Sequence, residues 1–202
     1  MPGNRLNFWV AANQSQAKGG CTDHHTGARL DSFLGVQRMA NLQFDLDPGA
    51  WQTVSDPSLS YPMAYDFQML GWDRDARTVD FVLRFNAEGG HCQRHRHLAS
   101  TTVLIMEGEQ HLLELHPDGS TTPKKRVKGE YARSTGEDAN PHMERGGPEG
   151  GVVFYSCHAP DGRLFEFIDD DGAVIGEATF DNMVGAWERH LTMHADEQSA
   201  AG

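Results

Sequence analysis

Closely spaced histidines are the first feature of this chain that could support chemistry. The chain contains 11 histidines, and a single residue separates His95 from His97. On a β-strand, residues two apart place their side chains on the same face, only a few ångströms from each other. Two neutral imidazoles that converge in this way can bind a first-row transition metal. The alternative is a pair of surface histidines in a polar loop, flanked by Arg94 and Arg96.

The elements that would position these histidines are short β-strands. Apolar and polar residues alternate in short runs that end at Gly, Pro and Asp, a pattern typical of a sandwich or a barrel. Within a strand, the same alternation turns Arg94 and Arg96 away from the two imidazoles. Strands are predicted over 42–46, 78–85, 101–106, 109–116, 151–156, 164–168 and 173–175.

A helical period replaces this pattern near the C-terminus. Apolar residues recur at helical spacing after a possible N-cap, which predicts an amphipathic helix. These apolar residues are Phe180, Met183, Val184, Trp187 and Leu191. The predicted organisation is a loosely ordered N-terminal arm over 1–40, a barrel over 41–178, and a helix with an acidic tail over 179–202.

The overall charge narrows the classes of partner. With 17 Lys and Arg against 29 Asp and Glu, the formal net charge is −12. Nucleic acids and anionic membranes are bound through clustered basic residues, so neither is expected as a partner. No apolar run approaches the ~20 residues of a membrane-spanning helix. Three cysteines without a CxxC pair favour a reducing compartment, so we expect a cytoplasmic protein.

The spacing around the two histidines resembles the first motif of the cupins. Gly89 precedes His95 by five intervening residues, and Gly108 lies at the cupin distance after His97. The position of the cupin glutamate holds Thr101 instead. Because the spacing holds over twenty residues, the resemblance implies an all-β fold, namely a single cupin double-stranded β-helix, or jelly-roll, barrel, here followed by a C-terminal α-helix.

The second cupin motif supplies a third histidine, and His142 is the candidate. It follows a segment from Gly129 to Gly136 that resembles the opening of that motif, although His142 falls about two residues later than usual. The resemblance therefore implies a metal site that includes His95, His97 and His142. The alternative for His142 is an ordinary loop histidine.

One branch of the cupins is more similar still, the 2,4'-dihydroxyacetophenone dioxygenase and acetylacetone dioxygenase type. The chain shares its pattern of glycines and acidic residues between Gly108 and the 169–172 turn. This resemblance implies Glu114 as a carboxylate ligand of the metal, with His111 as a rival on the same strand. Alternation places Glu114 and His111 on opposite faces, so at most one should point into the barrel unless a bulge intervenes.

The resemblance implies a metal-dependent enzyme, with Fe(II) as the first expectation and Zn, Ni or Mn as alternatives. Such a dioxygenase would use O2 to cleave a carbon–carbon bond of a small dicarbonyl or hydroxyketone. The usual pocket aromatics are replaced by Gln110 and Leu112, so the substrate itself is not carried over. A homodimer is expected by analogy with other cupins. Two other functions stay open, a non-catalytic metal- or ligand-sensing module and a metal-dependent isomerase or lyase.

Overall fold

The structure is a computed structural model, and it describes residues 51–201. This part of the chain contains ten strands and one helix. The predicted arm over 1–40 and the predicted strand over 42–46 lie outside these residues. The helix α1 spans Phe180–Ala201. The strands are β1 (Gln52–Asp56), β2 (Met63–Asp73), β3 (Thr78–Phe85), β4 (His95–His97), β5 (Ser100–Leu115), β6 (Thr121–Val127), β7 (Tyr131–Ser134), β8 (His142–His158), β9 (Arg163–Ile168) and β10 (Val174–Thr179).

The strands form a single curled sheet, with the long strands β5 and β8 at its centre. The order β1-β2-β3-β8-β4-β9-β10 gives the main path, and β5 pairs with β6, β7 and β8. The C-terminal half of β8 lies between β3 and β5, whereas its N-terminal half pairs with β4 and the far end of β5. The predicted all-β jelly-roll barrel with a C-terminal helix is confirmed.

Strand β5 differs from the two strands predicted over 101–106 and 109–116, because it runs through the expected break. Its register with β8 shifts on both sides of Gly108, and Gly108 has a φ of 61°. A side chain there would lie 2.4 Å from the carbonyl oxygen of Gly150. Glycine therefore makes a bulge that bends the strand instead of ending it.

The interior is dominated by aromatic residues that join the sheet to the helix. Phe81 stacks on Tyr155 with ring centroids 4.9 Å apart, and Phe67 meets Trp187 of α1 edge-on at 5.5 Å. The helix begins where the side-chain oxygen of Thr179 accepts the backbone N–H of Asn182 at 3.2 Å, the geometry of an N-cap. Its apolar face thus completes the core.

Among the described residues, no helix is long and apolar enough to span a membrane.

Replacing single side chains of α1 by alanine should show that the helix is part of the core. Trp187 is 3% exposed, so Trp187→Ala is expected to lower the free energy of unfolding by about 3–5 kcal/mol through lost burial and a cavity. Leu191 belongs to the same apolar stripe but is 40% exposed, so Leu191→Ala should cost less than about 1 kcal/mol. Urea unfolding measures both. Equal losses for the two variants would contradict this account.

Candidate metal centre

Two strands bring three histidines to one point inside the barrel. His95 and His97 both point inward from β4 and are buried, while Arg96 between them is only partly buried. Strand β8 is antiparallel to β4, and His142 pairs directly with His95. Because His142 is the first residue of β8, its ring lies beside the other two. The structure therefore brings together the three histidines that the sequence predicts as ligands.

The arginines that flank the histidines point to the other side of β4, as alternation predicts. Arg96 donates a hydrogen bond from Nε to Glu166 at 2.6 Å. Arg94 donates to the backbone oxygen of Asp169 at 2.6 Å and pairs with Asp170 at 3.2 Å. Their charges are thus compensated by residues of β9 and the following turn, away from the imidazoles.

A loop hydrogen-bonded to the end of β4 positions His142. The backbone N–H of Asp138 donates to the carbonyl of His97 at 2.9 Å, and that of Glu137 to the carbonyl of Leu98 at 3.2 Å. Gly136 opens this segment with a φ of 89°, and a side chain there would lie 2.4 Å from the Leu98 oxygen. The longer spacing before His142 in the sequence is therefore absorbed by a loop anchored next to the first two histidines.

A carboxylate completes the group, and it belongs to Glu144. One donor atom from each of His95, His97, His142 and Glu144 lies within 4.8 Å of the other three. Glu144 follows His142 by two residues on β8, so the two side chains share a face. The sequence argument that paired His95 with His97 applies equally to His142 and Glu144, and it would have found this residue.

The predicted carboxylate Glu114 is not a member of this group. Its position on β5 pairs with His142, whereas Leu112 pairs with Glu144, so Glu114 lies one step further along the sheet. There its carboxylate accepts a hydrogen bond from Asn140 at 3.0 Å and pairs with Lys124. The likeness in pattern pointed to a glutamate that instead lines the adjoining cavity.

The other candidates on β5 are explained by alternation. His111 faces the opposite side of the sheet, where its Nε2 lies 2.7 Å from Glu109. Thr101, which stands in place of the cupin glutamate, is buried, and its hydroxyl donates to the backbone oxygen of Ala99 at 3.1 Å. The carboxylate next to the three histidines thus comes from β8 and not from the position that the first cupin motif provides.

The distances within the group are those of ligands around one ion. His95 Nε2 lies 3.1 Å from His97 Nε2. Glu144 Oε1 lies 3.5 Å from Nε2 of His95 and 3.5 Å from Nε2 of His142. Metal bonds of about 2.0–2.2 Å to nitrogen and oxygen separate adjacent ligands by about 3.0–3.5 Å. These three distances match adjacent ligands of one first-row metal ion, and all four donor atoms lie within 4.8 Å of one another.

The protonation of His95 favours metal binding. Its Nδ1 lies 2.7 Å from the backbone oxygen of Gln93, so Nδ1 carries the proton and Nε2 presents a lone pair to the group. Burial, together with the neighbouring His142, lowers the pKa of His95 to about 4. Burial also lowers the pKa of His97 well below its ordinary value. Both imidazoles are consequently neutral at pH 7 and available as ligands.

Glu144 is held as a buried carboxylate with its two oxygens in different roles. Burial alone would raise its pKa, but the hydrogen bond and charge of His142, with the other two imidazoles, hold the pKa of Glu144 below its usual range. Oε2 accepts hydrogen bonds from Gln110 Nε2 and from the Tyr155 hydroxyl. Burial, with Glu144 beside it, raises the pKa of Tyr155, which keeps the phenol protonated as a donor. Oε1 is left to face the imidazoles.

This donor set fits a divalent metal. Three imidazoles and a carboxylate converge in a buried space, where a cation between them would compensate for the buried negative charge. Three neutral nitrogens and one carboxylate are a ligand set for Fe, Zn, Ni or Mn. Gln110 and Tyr155 fix the orientation of the carboxylate, as outer partners of metal ligands commonly do.

Two cavities adjoin the group. The larger, about 220 Å³, reaches His97, His142 and Glu144 and is otherwise bordered by β5, β6, β7 and the loop before His142. Gln110 and Leu112 line it, as the sequence predicts for these positions. The smaller, about 50 Å³, lies on the side of His95 and is walled by aromatic side chains, among them Phe81 and Phe165. A small molecule can therefore reach the donor group from one side, against an apolar interior on the other.

Known proteins resemble this chain in structure and not in sequence. No protein-family model and no curated protein sequence matches it. An acetylacetone dioxygenase from Acinetobacter johnsonii is similar with a TM-score of 0.54 and 17% identity, over 86% of this chain and 99% of that one.

Two further solved structures give the same result. A putative acetylacetone dioxygenase from Methylibium petroleiphilum has a TM-score of 0.51 and 16% identity, over 74% of this chain and 96% of its own. An RmlC-like cupin protein from Ralstonia eutropha has a TM-score of 0.53 and 13% identity, over 74% of this chain and 87% of its own. At these identities the likeness shows the fold, and the chain has the cupin fold.

Metal analysis of variants should distinguish the two glutamates. Glu144→Gln and His95→Ala are expected to lose bound metal, because each removes a donor from the group. Glu114→Gln should keep it, because Glu114 is held by Lys124 and Asn140. Gln110→Ala should weaken binding about 10–100-fold by freeing the carboxylate. Elemental analysis after gel filtration, with competition by a chelator, measures these effects. Full metal in Glu144→Gln, or its loss in Glu114→Gln, would contradict the assignment.

Proposed function

We propose that this protein is a metal-dependent dioxygenase that uses O2 to cleave a carbon–carbon bond in a small β-dicarbonyl or hydroxyketone. The observation that carries the proposal is the convergence of His95, His97, His142 and Glu144 at the edge of a cavity of about 220 Å³. The fold shared with two proteins named as acetylacetone dioxygenases supports the choice of reaction and substrate class.

The four side chains would hold Fe(II), which supplies Lewis acidity toward the substrate oxygens and the redox chemistry that O2 requires. Zn, Ni or Mn would fit the same donors. Four protein ligands leave coordination positions open, a requirement for catalysis. Neutral imidazoles and one carboxylate leave a divalent ion with a net charge of about +1, which complements the single negative charge of an enolate.

The other residues of the site orient the ligands and exclude water. Gln110 and Tyr155 hold Glu144 through Oε2, so that Oε1 keeps its direction toward the imidazoles. Phe165 packs edge-on against His95 and His97, with ring centroids 5.5 and 4.9 Å apart. This aromatic wall keeps the inner side of the group apolar, and reactive species formed there are shielded from water.

The overall reaction balances without a reductant. A β-diketone and one O2 yield a carboxylic acid and a 2-oxoaldehyde. One carbon–carbon bond breaks, and both atoms of O2 end in the two products. The homodimer and the cytoplasmic location expected from the sequence remain predictions.

Oxygen uptake tests the proposal. Protein purified anaerobically and loaded with Fe(II) should consume O2 with members of a panel of β-diketones and hydroxyacetophenones, in a ratio of about one O2 per substrate cleaved. The double variant His95→Ala/His97→Ala should lose the uptake. His111→Gln should retain it, because His111 faces the other side of the sheet. Uptake that is unchanged in the double variant would exclude this site as its source.

Failure across the whole panel would point to a different function. A metal-loaded protein that consumes no O2 but isomerises or cleaves a substrate would be an isomerase or lyase on the same barrel. A protein that binds no metal under any condition would contradict the proposal altogether.

A further inference from the structure

Arg126 carries a positive charge without an ion-pair partner among residues 51–201, in the cavity next to the candidate metal centre. This β6 residue is partly buried and lines the cavity. Its guanidinium donates one hydrogen bond, to the amide oxygen of Gln110 at 2.8 Å, and this partner is neutral. Among residues 51–201, no carboxylate lies within ion-pair distance of Arg126.

The other charged side chains around the cavity differ from Arg126. Lys124 pairs with Glu114. Of the two other carboxylates that line the cavity, Asp138 accepts a hydrogen bond from the Ser134 hydroxyl at 2.6 Å, and Glu144 is linked to Arg126 only through Gln110. Arg133 is exposed, so water compensates for its charge. Arg126 is thus the partly buried cation that a ligand in the cavity could neutralise.

The geometry points to a carboxylate on the substrate itself. On the basis of the proposed function, we propose that the natural substrate is a small dicarbonyl or hydroxyketone with a carboxylate remote from its metal-binding oxygens, and that Arg126 binds this carboxylate. A guanidinium has five N–H donors in a planar fork that fits two carboxylate oxygens. Arg126 uses only one of them on Gln110.

Gln110 connects this subsite to the metal centre. Its amide oxygen accepts from Arg126, and its amide nitrogen donates to Glu144. The carboxylate subsite is therefore two hydrogen bonds away from the carboxylate of the donor group. One molecule could occupy both ends, with its dicarbonyl at the histidines and its carboxylate at Arg126. Gln110 is a positioning residue in this arrangement, because it acts through Glu144.

A matched pair of ligands tests the inference without turnover. The probes are 3,5-dioxohexanoate, which is acetylacetone with a carboxylate on one end, and its neutral methyl ester. Calorimetric titration of metal-loaded protein under anaerobic conditions should give about 10–100-fold tighter binding of the acid, because a charge-assisted bidentate pair forms only with the acid.

Variants locate the preference. Arg126→Gln should bind the acid and the ester equally, and Arg126→Lys should keep a reduced preference. Arg133→Gln, which removes an exposed cation from the same cavity, should retain the wild-type ratio. Metal content and melting temperature, measured in parallel, show whether each variant is folded and loaded.

Three results would overturn the inference. These are equal affinities in the wild type, no binding of either probe, and a preference that survives in Arg126→Gln, which would place the carboxylate on the metal. None depends on cleavage. Tighter binding of the acid without O2 uptake from any substrate would support the subsite and contradict the dioxygenase proposal.

Discussion

The site depends on one buried carboxylate surrounded by three imidazoles. Glu144 is 1% exposed, and a buried negative charge is costly unless hydrogen bonds and opposite charge compensate for it. Gln110 and Tyr155 satisfy one carboxylate oxygen, and the other lies 3.5 Å from Nε2 of His95 and of His142. A metal cation between these donors would balance the buried negative charge. The electrostatics of the interior therefore favour a bound cation at this group of four side chains.

The sheet produces this arrangement through the pairing of neighbouring strands and through the residue types at a few inward-facing positions. Strands β4 and β8 are paired at His95 and His142, and each contributes two inward side chains at alternate positions. The cupin position for a glutamate holds Thr101, whose hydroxyl donates a hydrogen bond to the backbone oxygen of Ala99. Glu144 supplies the charge from β8 instead. Gln110 connects that carboxylate to Arg126.

Much of the fold and three members of the site follow from local sequence patterns. The alternation at His95 and His97 predicts their shared face, and it separates His111 from Glu114. Glu144 was not singled out because the resemblance favoured Glu114, whereas the strand register places Glu144 beside the three histidines. Register depends on the bulges around Gly108 and on the loop that begins at Gly136, which are tertiary features. Strand β6 was missed because it is mostly polar and exposed, so no apolar alternation marks it.

The central claim is that one ion is bound by His95, His97, His142 and Glu144. Its most direct test is a crystal structure of the metal-loaded protein, with anomalous difference density collected at the absorption edge of the bound metal. The account predicts one strong peak about 2.0–2.2 Å from a ring nitrogen of each histidine and from an oxygen of Glu144. A peak bound by Glu114 in place of Glu144, or no peak among the three histidines, would contradict it.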